Sequence, residues 1–522
     1  MMPSPLRLLS RVFVVLLLVA AAGCDTGDPT GADNPGVDFV TGTDVVVNPS
    51  GVAPLTARID LTTRRPVSVA ITVPGRSESA DVQRRFEEVA QEHEIPVLGL
   101  YPATENTVRL RFFAPDGRAL GTQTVSIATA PLLPDLPDVE INQVTASAMK
   151  PGFHFVSYFG HNGEVTPQRP FIFDNAGDIR WYLDFSEHPT LSNLFYDNGM
   201  ERLANGHLYF GNTNDDRIYE INLFGEIVNM WGMPGYSFHH NVIEKPNGNF
   251  VATVNKEGAP TIEDYVIEID RSSGEIVTVW NLNQSLDNGR RAWETDLADL
   301  DVDWFHGNAL AYDASDNTII VSGRTQGVVK LTETNEVVWI LAPHKGWDTA
   351  GDGTELSPFL LQPLDANGRP ISDDDVRSGA VNHPDFEWAW YQHAPALLPD
   401  GSLLLFDNGE NRNYTRPGTY SRAVIYQIDE PARTIQQTWQ YGKARGPETY
   451  SRIVSDVDYH ADEDNVVFMP GAVTHNGTSY GKVVEVDRAS REVVFEATID
   501  PPTAPFGITF HRVQRMGLYP AR

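Results

Sequence analysis

A single cysteine, Cys24, stands in 522 residues. The body of the chain therefore has no internal disulfide, no thiolate metal ligands and no thiol nucleophile. Basic residues are few, 39 Lys and Arg against 70 Asp and Glu, for a net charge of −31. A phosphate-binding surface needs clustered cations, so nucleic acid is excluded as a partner. What remains is an acidic, soluble surface. Long apolar runs are also missing. Residues 12–22 form an apolar stretch beside Arg7 and Arg11, too short to cross a membrane and suited to a signal segment.

That stretch ends in Ala21-Ala22-Gly23-Cys24, which resembles a bacterial lipobox with Ala21 where Leu is commoner. Residues 1–24 are therefore expected to be a lipoprotein signal, with Cys24 the lipidated first residue of the mature protein. Export to the cell envelope follows, as a membrane-tethered lipoprotein or a periplasmic protein, with membrane contact only through the lipid anchor. Residues 25–38, rich in Gly, Pro, Asp and Asn, read as a flexible tether. Residues 39–130 carry short strand patterns at sandwich-like spacing and read as a small β domain, with one helix expected at 80–93, where Val82, Phe86, Val89 and Ala90 share a face. Pro131, Pro134 and Pro137 mark a linker over 131–150.

From 151 to 522 the chain repeats itself. Six β-type runs end in a polar turn and are followed by a second run that usually carries an aromatic: 171–181, 218–231, 265–280, 328–339, 424–439 and 483–495. Each reads as a hairpin, and β units recurring at this period predict a propeller, here all-β with six blades. The tail 506–513 has strand character and is expected to close the ring on the first blade, which removes a sheet edge.

In a propeller, equivalent positions converge on the axis. The segments Phe238-His239-His240-Asn241, Trp304-Phe305-His306-Gly307-Asn308 and Trp390-Tyr391-Gln392-His393-Ala394 place His240, His306 and His393 at corresponding distances before a turn. The matching places in the first and last blades fall near Asn198 and Val457, without histidine. Arg324 lies one strand from His306 and reaches the same mouth. Neutral histidine serves as nucleophile, acid–base group or metal ligand, and three histidines suit zinc. No acid occupies a repeat-equivalent place beside them, and a nearby Arg opposes a metal. His, Arg and Asn together are donors and suit an oxyanion such as sulfate or phosphate. Tyr236, Trp390 and Tyr391 could stack on an aryl ring or be core.

The segments containing His306 and Asn308, Ser322-Gly323-Arg324-Thr325-Gln326, Gln392-His393-Ala394, Phe406-Asp407-Asn408-Gly409 and Tyr420-Ser421-Arg422 together resemble the bacterial arylsulfate sulfotransferases. In the N-terminal domain, Pro54-Leu55-Thr56-Ala57 and Pro96-Val97-Leu98-Gly99-Leu100-Tyr101 resemble that family's small Ig-like β-sandwich. The resemblance implies a six-bladed propeller that moves a sulfuryl group from a phenolic sulfate donor to a phenol acceptor, with no cofactor, no metal and no nucleotide sulfate donor. It implies ping-pong kinetics through a sulfohistidine. By motif, His393 takes the nucleophile's place, and His240, His306, Asn308 and Arg324 the places that bind and polarise the sulfuryl group. His240 and His306 are both candidates for the base of the second half-reaction. A homodimer is compatible with the chain. Competing readings are a non-catalytic propeller that binds anionic glycans or a protein, a sulfatase with water as acceptor, and a metal-dependent hydrolase or lyase.

Overall fold

The computed structural model of the chain describes residues 37–160, 168–197, 199–292, 294–415, 418–501 and 507–520. The expected signal, most of the expected tether, the expected lipidation site Cys24 and Asn198 lie outside these. No helix among the described residues is long and apolar enough to cross a membrane.

The N-terminal sheet contains β1 (Val40–Val47), β2 (Ala57–Val73), β3 (Val82–Val97), β4 (Glu105–Phe113) and β5 (Ala119–Ala128), in the order β1-β2-β4-β5 with β3 also on β2. The helix expected at 80–93 is a correction: this stretch is β3, paired antiparallel along β2. The register of that pair slips twice, between Thr62 and Val67 and again between Val67 and Val69. The slips break the two-residue alternation and leave a spacing that imitates a helical face. The expected linker is corrected too, since it contains β6 (Asp138–Val144), which pairs with the last sheet.

The remaining strands form six sheets among the described residues. They are β7 (Phe153–Gly160), β8 (Phe171–Phe173) and β9 (Ile179–Tyr182); β10 (Glu201–Arg202), β11 (Leu208–Asn212), β12 (Arg217–Ile221) and β13 (Ile227–Gly232); β14 (Tyr236–Glu244), β15 (Phe250–Lys256), β16 (Tyr265–Ile269) and β17 (Ile276–Asn281); β18 (Gly307–Asp313), β19 (Thr318–Gly323), β20 (Gly327–Leu331) and β21 (Val337–Leu341); β22 (Gln362–Leu364), β23 (His393–Leu397), β24 (Leu403–Asp407), β25 (Arg422–Asp429) and β26 (Thr434–Tyr441); β27 (Asp456–His460), β28 (Asn465–Met469), β29 (Val473–His475), β30 (Thr478–Asp487) and β31 (Val493–Asp500). The last strand, β32 (Ile508–Met516), runs back to pair with β7 in the first of these sheets. Strands β14, β18, β23, β27 and β32 adjoin in that order, as the inner strands of propeller blades do. The chain ends are thus interleaved: β6 joins the last sheet and β32 the first.

Each repeat hairpin carries an aromatic that ties its sheet to the next. Trp181, Trp231, Trp280 and Trp439 donate through Nε1 to the main-chain oxygens of Leu223, Arg271, Thr332 and Arg488, each in the following hairpin turn. Trp339 donates to the Glu430 carboxylate instead. The sixth aromatic, Phe495, has no N–H and stacks on His154 of β7, ring centroids 4.2 Å apart. A buried indole needs a partner for its one donor, and here that need fastens neighbour to neighbour.

Candidate active site

Four inner strands bulge beside a histidine. Pairing registers shift between Phe238 and Val242, between Gly307 and Ala309, between His393 and Ala396, and between Phe510 and Arg512. Bulges re-aim side chains and end regular pairing. The backbone there is strained: His240, His306, Tyr391 and Ala394 all have φ between 50° and 55°. Non-glycine residues in this region persist where surrounding structure over-determines them, and they cluster at functional sites. Polar side chains hold the bulges. Asn241 N–H donates to Thr253 Oγ1 (2.9 Å), and the Asn241 side chain accepts from Leu310 N–H in the next sheet (2.9 Å). In the same way Asn308 Nδ2 donates to the Gln392 carbonyl (3.0 Å).

The structure brings His240 and His306 into direct contact, Nε2 to Nε2 at 3.0 Å. Three carboxylates surround them. Asp197 lies 3.1 Å from His240 Nδ1 and also accepts the His240 N–H. Asp303 lies 2.7 Å from His306 Nδ1. Glu263 Oε2 lies 3.2 Å from His240 Nε2 and 2.6 Å from His306 Nδ1. Burial works against a charge on His240, but Asp197 and Glu263 outweigh it and lift its pKa to about 10. Burial would raise the two acids, and the histidines instead hold both well below the carboxylate range. The Arg324 guanidinium is 4.0 Å from Asp303, and its Nη2 also donates to the Leu297 carbonyl.

His393, 7% exposed, begins β23. Its Nδ1 faces two oxygens, the Tyr391 carbonyl at 3.0 Å and Asn408 Oδ1 at 2.8 Å. The Asn408 amide nitrogen donates to the Ser451 and Val454 carbonyls, which fixes its oxygen toward the ring. Two acceptors require a donor, so Nδ1 carries the proton and Nε2 keeps its lone pair. Burial holds the His393 pKa well below 6.5. The Asn408 bond opposes this shift, while Arg324, His240 and His306 reinforce it. Below the histidine layer, a cavity of about 150 Å3 on the axis is lined by Asn241, Ala309, Ala394, Asp456 and Arg512.

Several site residues escaped the sequence reading. Asp197, Glu263 and Asp303 sit in loops and carry no repeat signal, so acids do flank the histidines although none is repeat-equivalent. Asn408 stood inside a quoted motif without a role. His511 of β32 is a buried fourth histidine near Asp197 and His240, with its pKa pushed down to about 3 mainly by burial. Its Phe510-His511 pair echoes Phe238-His239 and Phe305-His306, which was the available signal. His239 is buried, neither ring nitrogen has a hydrogen-bond partner among the described residues, and burial lowers its pKa to about 4. Trp390 and Tyr391 are buried and Tyr236 half-buried. Trp390 packs in a core cluster.

Two triads, His239–His240–Glu263 and Glu263–Asp303–His306, have ligand-type atoms within 4.8 Å of one another. Within them His240 and His306 lie at ion-pair distance from Glu263 and Asp303, with the Arg324 guanidinium alongside, whereas His239 makes no such pair. A third triad, Asp313–Asp316–Glu430, encloses the Lys330 ammonium at 2.5–2.8 Å.

Residues 138–505 match the arylsulfotransferase (ASST) family, and residues 44–130 match the arylsulfotransferase Ig-like domain. The chain is 30% identical to the arylsulfate sulfotransferase AssT of Escherichia coli O6:H1 over 555 residues, covering 87% of this chain and 90% of that protein. It is 30% identical to the arylsulfate sulfotransferase AssT of Lelliottia amnigena over 552 residues, with the same coverage. Among solved structures, a catalytically inactive virginiamycin B lyase from Staphylococcus aureus is 10% identical, covering 69% of this chain and 88% of its own, with a TM-score of 0.33. Apart from His511 and Arg512 of β32, the site residues described above lie within the matched residues, and the chain belongs to the arylsulfotransferase family.

Proposed function

We propose that this arylsulfate sulfotransferase works by a ping-pong mechanism with His393 as nucleophile and a sulfohistidine as intermediate. The observation that carries this reading is the held ring of His393: buried, with Nδ1 engaged on the Tyr391 carbonyl and Asn408 Oδ1, and with no hydrogen-bond partner on Nε2 among the described residues. In the first half-reaction, Nε2 forms a bond to sulfur as the aryl S–O bond breaks. The bonding pair leaves on the phenolic oxygen, which takes a proton from His240. In the second, the acceptor phenol gives its proton to His240 and its oxygen attacks sulfur. The S–N bond breaks and its pair returns to Nε2. We assign the proton transfer to His240, which Asp197 and Glu263 keep protonated at neutral pH and so ready to supply the departing oxygen. Arg324 matches the single negative charge of the sulfate monoester.

The test uses protein lacking residues 1–24 with 4-nitrophenyl sulfate, with and without phenol, beside His393→Ala. Nitrophenolate release is expected to rise with phenol and to vanish in His393→Ala, whose circular dichroism matches the parent. Near-normal activity in that variant removes His393 as nucleophile, and release indifferent to phenol makes the enzyme a sulfatase.

A further inference from the structure

Glu263 is the one carboxylate among the described residues recorded against both histidines of the contact pair. It comes from the loop between β15 and β16, whereas His306 immediately precedes β18 in the next sheet. Its main chain is fixed at both ends. Glu263 N–H donates to Asn255 Oδ1 (2.7 Å), and its carbonyl accepts the N–H of Gly307, the residue after His306 (2.8 Å). Its φ of 58° is left-handed and unfavourable for Glu. A Cβ on Gly307 would stand 3.0 Å from the Glu263 carbonyl, closer than ordinary packing allows. A residue kept in a strained conformation by a glycine contact and two hydrogen bonds has its place set by the fold.

We propose that Glu263 is a positioning residue of the transfer reaction, tying His240 and His306 into one donor pair and keeping on His240 the proton that goes to the departing phenolic oxygen. The inference rests on the reading of His240 as that proton donor. The charged and titratable groups around His240 are Asp197 from the loop before β10, His239 on its own strand and Glu263. Beyond these are Asp303 and His306 before β18, Arg324 after β19, His393 on β23 and His511 on β32. Asp197 and Glu263 are the two whose carboxylate oxygens lie within ion-pair distance of its ring and favour its charge, Asp197 3.1 Å from Nδ1 and Glu263 3.2 Å from Nε2. Removing Glu263 therefore leaves His240 held in place but easier to deprotonate.

The experiment compares donors whose leaving groups differ in their need for a proton. Glu263→Gln is assayed with 4-nitrophenyl sulfate, whose phenolate departs readily, and with phenyl sulfate, whose phenolate does not. At a pH just above the variant's alkaline limb, where the variant's His240 has given up more of its proton than the parent's, the expected kcat/KM loss approaches about 10-fold for phenyl sulfate and is near unity for 4-nitrophenyl sulfate, as for loss of acid assistance. The alkaline limb of the pH profile should also move down by about one unit, since one of the two carboxylates favouring the His240 cation is gone. Glu263→Asp should recover part of the phenyl sulfate rate. Equal losses on both donors with an unmoved limb would overturn the proposal. So would wild-type activity lost to a chelator and restored by zinc, which would make the cluster a cation site. If His393→Ala stays active the nucleophile assignment fails on its own, because the leaving-group comparison reads the departing oxygen whatever attacks sulfur.

Discussion

Two side chains of the same type, His240 and His393, are driven to opposite protonation states within one site. His240 has acids on both ring nitrogens, whereas His393 has an amide oxygen on one and cations nearby. This division suits a donor and a nucleophile. Burial keeps His393 neutral, and Asn408 orients it without bringing a charge to the ring. Asn408→Asp replaces the amide oxygen with a carboxylate, which raises the His393 pKa. The acid limb of kcat/KM should then move to higher pH by about one unit or more, with the alkaline limb unchanged. An unmoved acid limb would separate that limb from His393. The histidines were legible in the sequence because they lie on repeated strands. The acids were not, because Asp197 and Glu263 reach the site from loops whose course is set by sheets packed far away in sequence.

At the scale of elements, the hairpins were legible because their two-residue alternation, polar turn and terminal aromatic are all local features. Their Trp Nε1 bonds predict how the sheets adhere. Trp280→Phe keeps most of the apolar ring but leaves the buried side of Thr332 without its 2.8 Å donor. The expected cost is about 1 kcal/mol, a fall in Tm of about 2 °C for a chain of this size, with activity retained. No change in Tm would mean that water replaces the indole and the contact adds nothing. The strand β3 shows where local reading fails. Its two register slips against β2 are decided by the partner strand, and the surviving spacing of Val82, Phe86, Val89 and Ala90 then points to the wrong element.

Across the whole molecule, buried histidines couple stability to pH. Burial lowers His239 to about 4 and His511 to about 3, and holds His154 and His393 well below 6.5. Below pH 6.5 the unfolded chain takes up protons that the folded chain refuses, so stability present above 6.5 is lost as pH falls toward 4. Each pKa unit is worth about 1.4 kcal/mol. His240 and His460, raised to about 10 and about 9 by their carboxylates against burial, act in the opposite sense. Their contribution is complete below 6.5 and is lost as pH rises through 9 to 10. Tm measured in about 0.5 M salt, which screens the surface acids, should peak near pH 6.5 and fall on both sides. A Tm unchanged between pH 7.5 and 4.5 would mean that these rings are hydrated in the folded state.

By itself the sequence determined the β class, the repeat, the expectation of a ring closed by the tail, and the identity of His240, His306, Asn308, Arg324 and His393 as residues to watch. These depend on spacing along one strand or on short motifs, which a linear reading can see. Only the tertiary structure decided that β6 and β32 exchange places at the seam, that a fourth histidine joins the axis from β32, and that three loop carboxylates and Asn408 meet the histidine rings. Those facts depend on which groups meet across sheets, and electrostatic coupling falls off with distance through space, whatever the separation along the chain.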